Sequence, residues 1–493
     1  MSTQRSETNV AYTSVNENYL KRRKLKGSAG WILLWGLGVG AVISGDFYGW
    51  NYGLAAGGFW GLAIATLLMA IMYLCMVYSL AELSAALPHA GGLYSFTRNA
   101  FGPFWGFICG VVVTLEYVLA TSALVFSMSN YLKPLIPGVP SYLVWLILYA
   151  IFVAIAIQSL ELTLNVSLVL TLLAIMVLGI FYISMAMSGE FNPELLFNVP
   201  ADPGQSATWL PKGWEGVFAA MPYAIWFYLA IELLPLASEE TQDVPRNMPT
   251  GLILGMFTLI VLSVLTLVLN SGVGGGAVAI GKSDIPLGAG LEAYFGKGAT
   301  SHIMTASTLA LGLGASLPTQ IYGYGRILFA LSRAGYLPRW ISVTSNNHTP
   351  YRALLLCTIV GLIFVIMVAA GSDAVDAVIL NMAVFGALIS YILAMLSYIK
   401  LKLHRPDLLR PYQSPLGIQG AVVATTLAVF ALLACVSVPA YRSGALGIAI
   451  VLVLATFYFF LFSRTGLVAQ APEEAAALGL TRFANPIREQ EHG

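Results

Sequence analysis

The sequence is dominated by long apolar segments that can each cross a lipid bilayer. A helix of about 20 apolar residues spans the hydrocarbon core of a membrane. Some twelve such segments alternate with polar connections. They lie near residues 31–54, 57–86, 98–131, 141–160, 163–188, 214–238, 249–271, 299–332, 353–371, 374–400, 418–438 and 444–463. Because 10% of the residues are charged, against about 25% in soluble domains, the sequence predicts an all-α membrane protein.

The lysines and arginines predict how these segments are oriented. Both tails and the even-numbered connections hold most of them, and the odd-numbered connections hold five. Connections rich in Lys and Arg stay on the cytoplasmic side of a membrane. We therefore expect a cytoplasmic N-terminal tail (1–30), a multi-pass transmembrane domain (31–463) and a cytoplasmic C-terminal tail (464–493). The C-terminal tail, rich in Ala and Glu, is expected to be loosely ordered.

The first apolar segment contains a glycine-rich stretch, GLGVGAVISGDFYGWNYG, from Gly36 to Gly53. Because glycine destabilises a helix interior, its six glycines predict a helix break at membrane depth. Asp46 follows this break, and a carboxylate inside a membrane usually faces a cavity or a partner. The aromatic rings of Tyr48 and Trp50 suit a cation. The stretch therefore predicts half of a binding site for a small organic cation.

The sixth apolar segment shows the same combination of features. The stretch Trp214–Glu240 contains Pro222, the aromatic run Trp226–Tyr228 and then Glu232 among apolar residues. A second interrupted span, five segments after the first, predicts a five-plus-five inverted repeat whose broken helices meet near the membrane midplane. The predicted ranges are 31–188 for repeat one, 214–400 for repeat two and 418–463 for two extra helices.

Four further stretches carry a resemblance to a known family. They are Ala81–Phe107 (AELSAALPHAGGLYSFTRNAFGPFWGF), Ser238–Pro249 (SEETQDVPRNMP), Gly323–Trp340 (GYGRILFALSRAGYLPRW) and Thr349–Ala353 (TPYRA). Together they are similar to the signatures of the amino acid–polyamine–organocation transporter superfamily. Within it, GVGAVISGDFYGWNYGL most resembles bacterial ethanolamine permeases. The resemblance implies a LeuT-like transporter of the bacterial inner membrane that works by alternating access.

The resemblance also suggests which substrate is carried. Amino-acid members of the family hold the substrate carboxylate on backbone N–H groups at the first break, where Gly-Ser/Thr-Gly-Ile is usual. Here Asp46 follows Ser44 and Gly45, and its charge would repel a substrate carboxylate and favour a substrate with only an ammonium, most simply ethanolamine. The carbonyls of the second break would receive the amine. The candidate substrate-binding residues are Ser44, Gly45, Asp46, Tyr48, Trp50, Trp226, Phe227, Tyr228 and Glu232.

Several of these residues have a structural alternative. Asp46 could cap the second half of the broken helix. Glu232 could stabilise the second break or relay a proton, and aromatic side chains also form interface belts and core packing. Five further residues are candidates for coupling or gating: Glu82, Glu116, Ser316, Thr319 and Arg326. Glu82, Glu116 and Arg326 also have structural interpretations, as a helix-end acid, an interior hydrogen-bonded acid and a packing ion pair.

Ion coupling is left open by the sequence. In related folds sodium binds carbonyls of segment one and hydroxyls of segment eight, and Ser316 and Thr319 lie in the corresponding stretch. Some proton-coupled relatives use a lysine in segment five, but Thr163–Ser188 contains none. Symport with H+ or Na+ and facilitated uptake driven by the membrane potential are all compatible with the sequence. No cofactor or bound metal is expected.

Other functions fit the sequence less well. The isolated histidines form no HExxH motif and no phosphate-binding loop is present, which argues against an enzyme or an ATP-driven pump. No filter sequence supports a channel, and no effector domain supports a substrate sensor. A net charge of +1 gives no reason to expect nucleic acid as a partner. The main alternative is a zwitterionic amino-acid permease of the same superfamily. For the predicted amine transporter, the partners are a small amine and the lipid bilayer, and the oligomeric state stays open.

Overall fold

The computed structural model describes residues 10–15, 17–25, 27–133, 136, 138–187, 189–296, 298–371 and 373–479. The end of the C-terminal tail, 480–493, and Lys26 and Lys297 of the predicted charge pattern lie outside the described residues. Two short strands, β1 (Tyr12–Thr13) and β2 (Leu467–Val468), pair in parallel and bring the two tails together. We call the side of the molecule that holds them the terminal face, and the opposite side the far face.

The first part of the chain forms eight helices. They are α1 (Glu17–Lys21), α2 (Trp31–Val42), α3 (Ser44–Phe47), α4 (Tyr52–Ala86), α5 (Leu93–Phe101), α6 (Pro103–Leu132), α7 (Ser141–Gln158) and α8 (Leu160–Met187). A 3-10 turn, Pro193–Phe197, follows in the next connection.

The second part begins with another broken segment. Its helices are α9 (Gly213–Ala224), α10 (Val244–Ser271), α11 (Gly276–Ile280), α12 (Pro286–Phe295), α13 (Ala299–Arg333), α14 (Tyr351–Ala370), α15 (Asp373–His404), α16 (Gly417–Ser437), α17 (Arg442–Leu461) and α18 (Pro472–Ala477). Four 3-10 helices join them, at Ile225–Phe227, Ile231–Glu240, Pro439–Tyr441 and Ser463–Thr465.

The predicted all-α membrane fold is confirmed. Within the described residues, ten helices are long and apolar enough to cross a membrane. The remaining two predicted spans correspond to the broken segment α2–α3 and to α13. The inverted repeat and its boundaries stay a prediction.

Several predicted boundaries differ from the observed ones because glycines adopt left-handed backbone angles. The predicted span 98–131 is divided at Gly102 (φ 92°), which separates the short helix α5 from α6. The end of the first predicted segment runs directly into the second through α4, which is kinked at Gly58 (φ 72°). A side chain at Gly58 would overlap the Pro211 ring, so the kink suits glycine for a packing reason as well.

The C-terminal tail differs most from the sequence-based expectation. The prediction of a loosely ordered tail is wrong for residues up to 479, because β2 and α18 fold back against the terminal face. Glu473 and Glu474 of α18 are fully buried. Glu474 accepts hydrogen bonds from Arg98 of α5 and from the Tyr336 hydroxyl at 2.8 Å, and Glu473 pairs with Arg333 at 2.6 Å. Ion pairs with distant parts of the chain therefore order this segment.

A candidate substrate site at the two helix breaks

The first break opens the hydrogen-bond ladder of the helix between α2 and α3. The Gly40 carbonyl accepts a hydrogen bond from the Ser316 hydroxyl at 2.7 Å, and the Ala41 carbonyl accepts one from the Gln320 amide at 3.3 Å. The backbone N–H of Ser44 donates to the Ser316 hydroxyl at 3.4 Å. Side chains of α13 thus supply partners for backbone groups that a continuous helix would satisfy internally.

The second break lies directly against the first. After the 3-10 turn Ile225–Phe227, the chain reverses its local twist at Ala230, whose φ of 84° is unusual for a residue other than glycine. A Cβ atom on Gly45 would overlap the carbonyl oxygen of Trp226. Glycine at position 45 therefore allows the two interrupted backbones to touch.

A narrow cavity lies where the two breaks meet. Its volume is about 20 Å³, room for about one water molecule. The polar and aromatic residues that line it are Ser44, Gly45, Tyr48, Trp226 and Gln320. Its apolar wall is formed by Ala41, Val42, Ala120, Ala123, Leu124 and Leu229. This space is too small for an amino acid or for ethanolamine.

Four of the nine predicted substrate-binding residues line this cavity: Ser44, Gly45, Tyr48 and Trp226. The rings of Tyr48 and Trp226 lie 5.7 Å apart. These are the residues that the structure brings together at the breaks.

The other three predicted aromatics pack away from the cavity. Trp50 and Phe227 stack on each other with their ring centroids 5.3 Å apart. Tyr228 packs on Tyr73 and shares a hydrogen bond of 2.8 Å with the Ser263 hydroxyl. A substrate role for Trp50, Phe227 and Tyr228 stays a prediction.

Asp46 is fully buried and is absent from the residues that line the cavity. Its Oδ1 accepts a hydrogen bond from the Thr266 hydroxyl of α10 at 3.0 Å, and its Oδ2 has no hydrogen-bond partner among the described residues. One residue of helix turns a side chain by about 100°, so Gly45 faces Trp226 whereas Asp46 faces α10.

Glu232 is also buried away from the cavity. Its carboxylate accepts hydrogen bonds from the hydroxyls of Tyr391 at 2.8 Å and Tyr117 at 3.3 Å. Glu116 of α6 is fully buried beside it. The two candidate acids therefore face each other and tyrosines.

Comparison with known proteins identifies the family. Residues 30–462 match the family model described as amino acid permease. The chain belongs to the amino acid permease family.

Individual relatives of this permease are transporters. It is 27% identical to an uncharacterized transporter of Rhizobium meliloti (strain 1021), over 67% of this chain and 70% of the relative. It is 26% identical to the branched-chain amino acid permease BcaP of Bacillus subtilis (strain 168), over 80% of this chain and 84% of the relative. It is 24% identical to the methylthioribose transporter of the same strain, over 77% of this chain and 82% of the relative. The sequence-based conclusion that the chain is a transporter and not an enzyme is confirmed.

Two of the predicted coupling or gating residues of the permease form ion pairs near its terminal face. Arg326 of α13 pairs with Glu240 at 2.7 Å, and both side chains are buried. Glu82 of α4 pairs with Lys402 at 2.5 Å and Arg410 at 3.1 Å. These contacts join the end of the second break and α4 to the later helices.

Ser316 and Thr319, the predicted sodium-site hydroxyls, both lie on α13 near the first break. The Thr319 hydroxyl donates to the Ser316 carbonyl of its own helix at 2.7 Å. Coupling roles for these two residues, like gating roles for Glu82, Glu116 and Arg326, stay predictions.

The sequence analysis missed Gln320 and the small residues of α6 that line the cavity of the permease. Gln320 is an uncharged polar residue within a long helix, and its Oε1 atom is buried without a partner. A polar amide in a spanning segment was a signal that could have identified it. Ala120 and Ala123 carried no such signal, because alanine is common in all helices.

Proposed function

We propose that this permease transports a small zwitterionic amino acid by alternating access. The observation that carries the proposal is the chemistry of the cavity between the breaks. The described residues that line it include hydroxyl, amide and aromatic groups but no carboxylate. Taking an unpaired ammonium out of water into such a site is unfavourable, whereas a zwitterion carries its own counter-charge.

The lining residues have groups suited to both ends of an amino acid. The rings of Tyr48 and Trp226 offer faces to an ammonium. The Ser44 hydroxyl and the Gln320 amide can donate hydrogen bonds to a carboxylate. Val42, Leu124 and Leu229 favour a short apolar side chain.

The substrates for which relatives are named support the same class of substrate. Besides the branched-chain amino acid permease, the relatives include an L-asparagine permease of Streptomyces coelicolor, 25% identical over 73% of this chain. The methylthioribose transporter indicates that related chains also carry other small solutes.

Ethanolamine is the second candidate, and the position of Asp46 favours it. This carboxyl group follows Gly45, which lines the cavity, and one of its oxygens is free to accept a hydrogen bond. A rotation of α3 in another conformation would bring it to the substrate, as the resemblance to ethanolamine permeases requires.

Alternating access would require the contacts near the terminal face to open in one state. We place this face in the cytoplasm on the basis of the lysines and arginines. The pairing of Arg326 with Glu240 would close the inner path, and substrate would then enter from the far face. Release would then need the ion pairs at the terminal face to separate.

Transport by purified protein in liposomes tests the proposal. Vesicles preloaded with unlabelled alanine or ethanolamine would be given the same compound in labelled form, and then a competitor: leucine, serine, choline or arginine. We expect the protein to exchange alanine, and we expect leucine or serine, but not choline, to reduce that exchange. If the protein exchanges ethanolamine and neither leucine nor serine reduces that exchange, the amino-acid proposal is wrong and the second candidate is favoured.

A further inference from the structure

A second polar cluster, separate from the cavity, surrounds Asp46. Thr266 of α10 donates to Asp46 at 3.0 Å, and Tyr182 of α8 shares a hydrogen bond of 2.7 Å with Thr266. Asn270 lies one turn further along α10, on the same side as Thr266. We call Asp46, Tyr182, Thr266 and Asn270 the Asp46 cluster.

The Asp46 cluster lacks a fixed positive charge. The hydrogen bonds and ion pairs of the described residues give the Asp46 carboxyl group one neutral partner, Thr266. The titratable groups that face it are the hydroxyls of Tyr182 on α8 and Tyr228 after the second break. A buried carboxylate without a cation is strongly disfavoured, so this site calls for a cation.

A polar track leads from Asp46 towards the far face. Among the described residues, neither polar atom of the buried Asn270 side chain has a hydrogen-bond partner. Buried polar groups of this kind are normally satisfied by water. Because α10 begins near the terminal face and ends at Ser271, the Asn270 side chain, one turn beyond Thr266, lies between Asp46 and the far face.

We propose that Asp46 binds the proton that drives transport, and that the proton reaches it from the far face along Asn270 and Thr266. This proposal rests on the proposed function only in that the chain transports a solute. A proton suits the site because it neutralises the carboxyl without further ligands. It occupies the Asp46 cluster, while the substrate occupies the cavity on the other side of Gly45.

The geometry links proton binding to the substrate cavity through α3. This one-turn helix carries Ser44 and Gly45 on the cavity side and Asp46 on the α10 side. Loss of the proton would leave a buried negative charge and would favour movement of α3 away from α10. The same movement would displace the cavity lining, so proton release and substrate release would occur together.

The test compares two transport modes of Asp46→Asn in liposomes, with labelled alanine or ethanolamine, whichever the wild type exchanges. The first mode is uphill accumulation driven by a pH gradient, which allows up to about tenfold accumulation per pH unit and coupled proton. The second is exchange at equal pH, which needs no net proton movement. We expect Asp46→Asn to lose accumulation and to retain exchange. Asp202→Asn, which removes an exposed carboxylate, is the matched control and should retain both.

Each other result overturns the inference. If Asp46→Asn accumulates substrate as the wild type does, the proton binds elsewhere. The same conclusion follows if Glu116→Gln loses accumulation while Asp46→Asn keeps it. If Asp46→Asn loses exchange as well, Asp46 contacts the substrate. If a sodium gradient drives accumulation by the wild type and a pH gradient does not, the coupling ion is sodium and the proposal is wrong.

Two further readouts separate folding and function from this inference. If Asp46→Asn does not fold, Thr266→Val is the variant to test. It should shift the pH dependence of accumulation while exchange persists, and an unchanged pH dependence would refute the proposal. If the wild type exchanges neither alanine nor ethanolamine, the proposed function is wrong. If the wild type exchanges one of them but a pH gradient drives no accumulation, only the proton-coupling proposal is wrong.

Discussion

The burial of Glu474 at the terminal face yields a quantitative prediction. Its carboxylate accepts hydrogen bonds from Arg98 at 2.5 and 2.9 Å, from Tyr336 at 2.8 Å and from Tyr12 at 3.3 Å. Glu474→Ala would leave the buried guanidinium of Arg98 without its counter-charge. Removing one partner of a buried ion pair costs about 3–5 kcal/mol. We expect that cost to appear as local opening of β2 and α18.

Hydrogen–deuterium exchange of the C-terminal segment measures this cost. Since about 1.4 kcal/mol corresponds to a factor of ten, amides of residues 467–478 should exchange roughly 10²- to 4 × 10³-fold faster in Glu474→Ala. Asp407→Ala is the matched control, because it breaks an exposed pair with Arg405 worth at most about 1 kcal/mol.

A double variant isolates the charge effect. Arg98→Met combined with Glu474→Met removes both charges, and we expect it to recover most of the lost protection. Exchange in Glu474→Ala that matches the wild type, or that changes no more than in Asp407→Ala, would refute the argument that this ion pair orders the tail.

Three further predictions concern other sites. Burial lowers the pKa of His89 from 6.5 to about 4. The folded protein should therefore lose about 3 kcal/mol of stability as the pH falls from 6.5 to 4, because the unfolded chain binds the proton first. Thermal melting across this range should show the loss in the wild type and not in His89→Gln. Gly45→Ala should abolish transport in liposomes, because its Cβ would overlap the Trp226 carbonyl, and normal exchange rates would contradict the close approach of the breaks. Trp226→Ala should weaken substrate affinity in a binding titration more than Trp145→Ala, which removes an equally buried ring that donates to Ser129; equal effects would count against a role for Trp226.

The spans and the two breaks could be predicted because their signals are local. Apolar runs of bilayer length identify the helices, and the glycine-rich stretch marks the first interruption. The sequence predicts an interruption within 214–240 but not its position: Pro222 lies inside α9, and the left-handed residue Ala230, where the chain turns, carries no sequence signal.

The environments of Asp46 and Glu474 could not be predicted, because both depend on distant residues. A rotation of about 100° separates a side chain that faces the cavity from one that faces α10, and the sequence does not fix the rotation of a one-turn helix. The Ala- and Glu-rich tail resembles a solvated segment until Arg98 and Arg333, more than a hundred positions earlier, are placed against it.

The central claim is that substrate binds between the two breaks without using Asp46 as its charge partner. Calorimetric titration of alanine and ethanolamine into the purified wild type and Asp46→Asn, at a fixed pH, tests it directly. We predict that the wild type binds alanine in preference to ethanolamine and that Asp46→Asn retains alanine affinity to within about threefold, less than 1 kcal/mol. Ethanolamine binding that exceeds alanine binding in the wild type and disappears in Asp46→Asn would contradict the account.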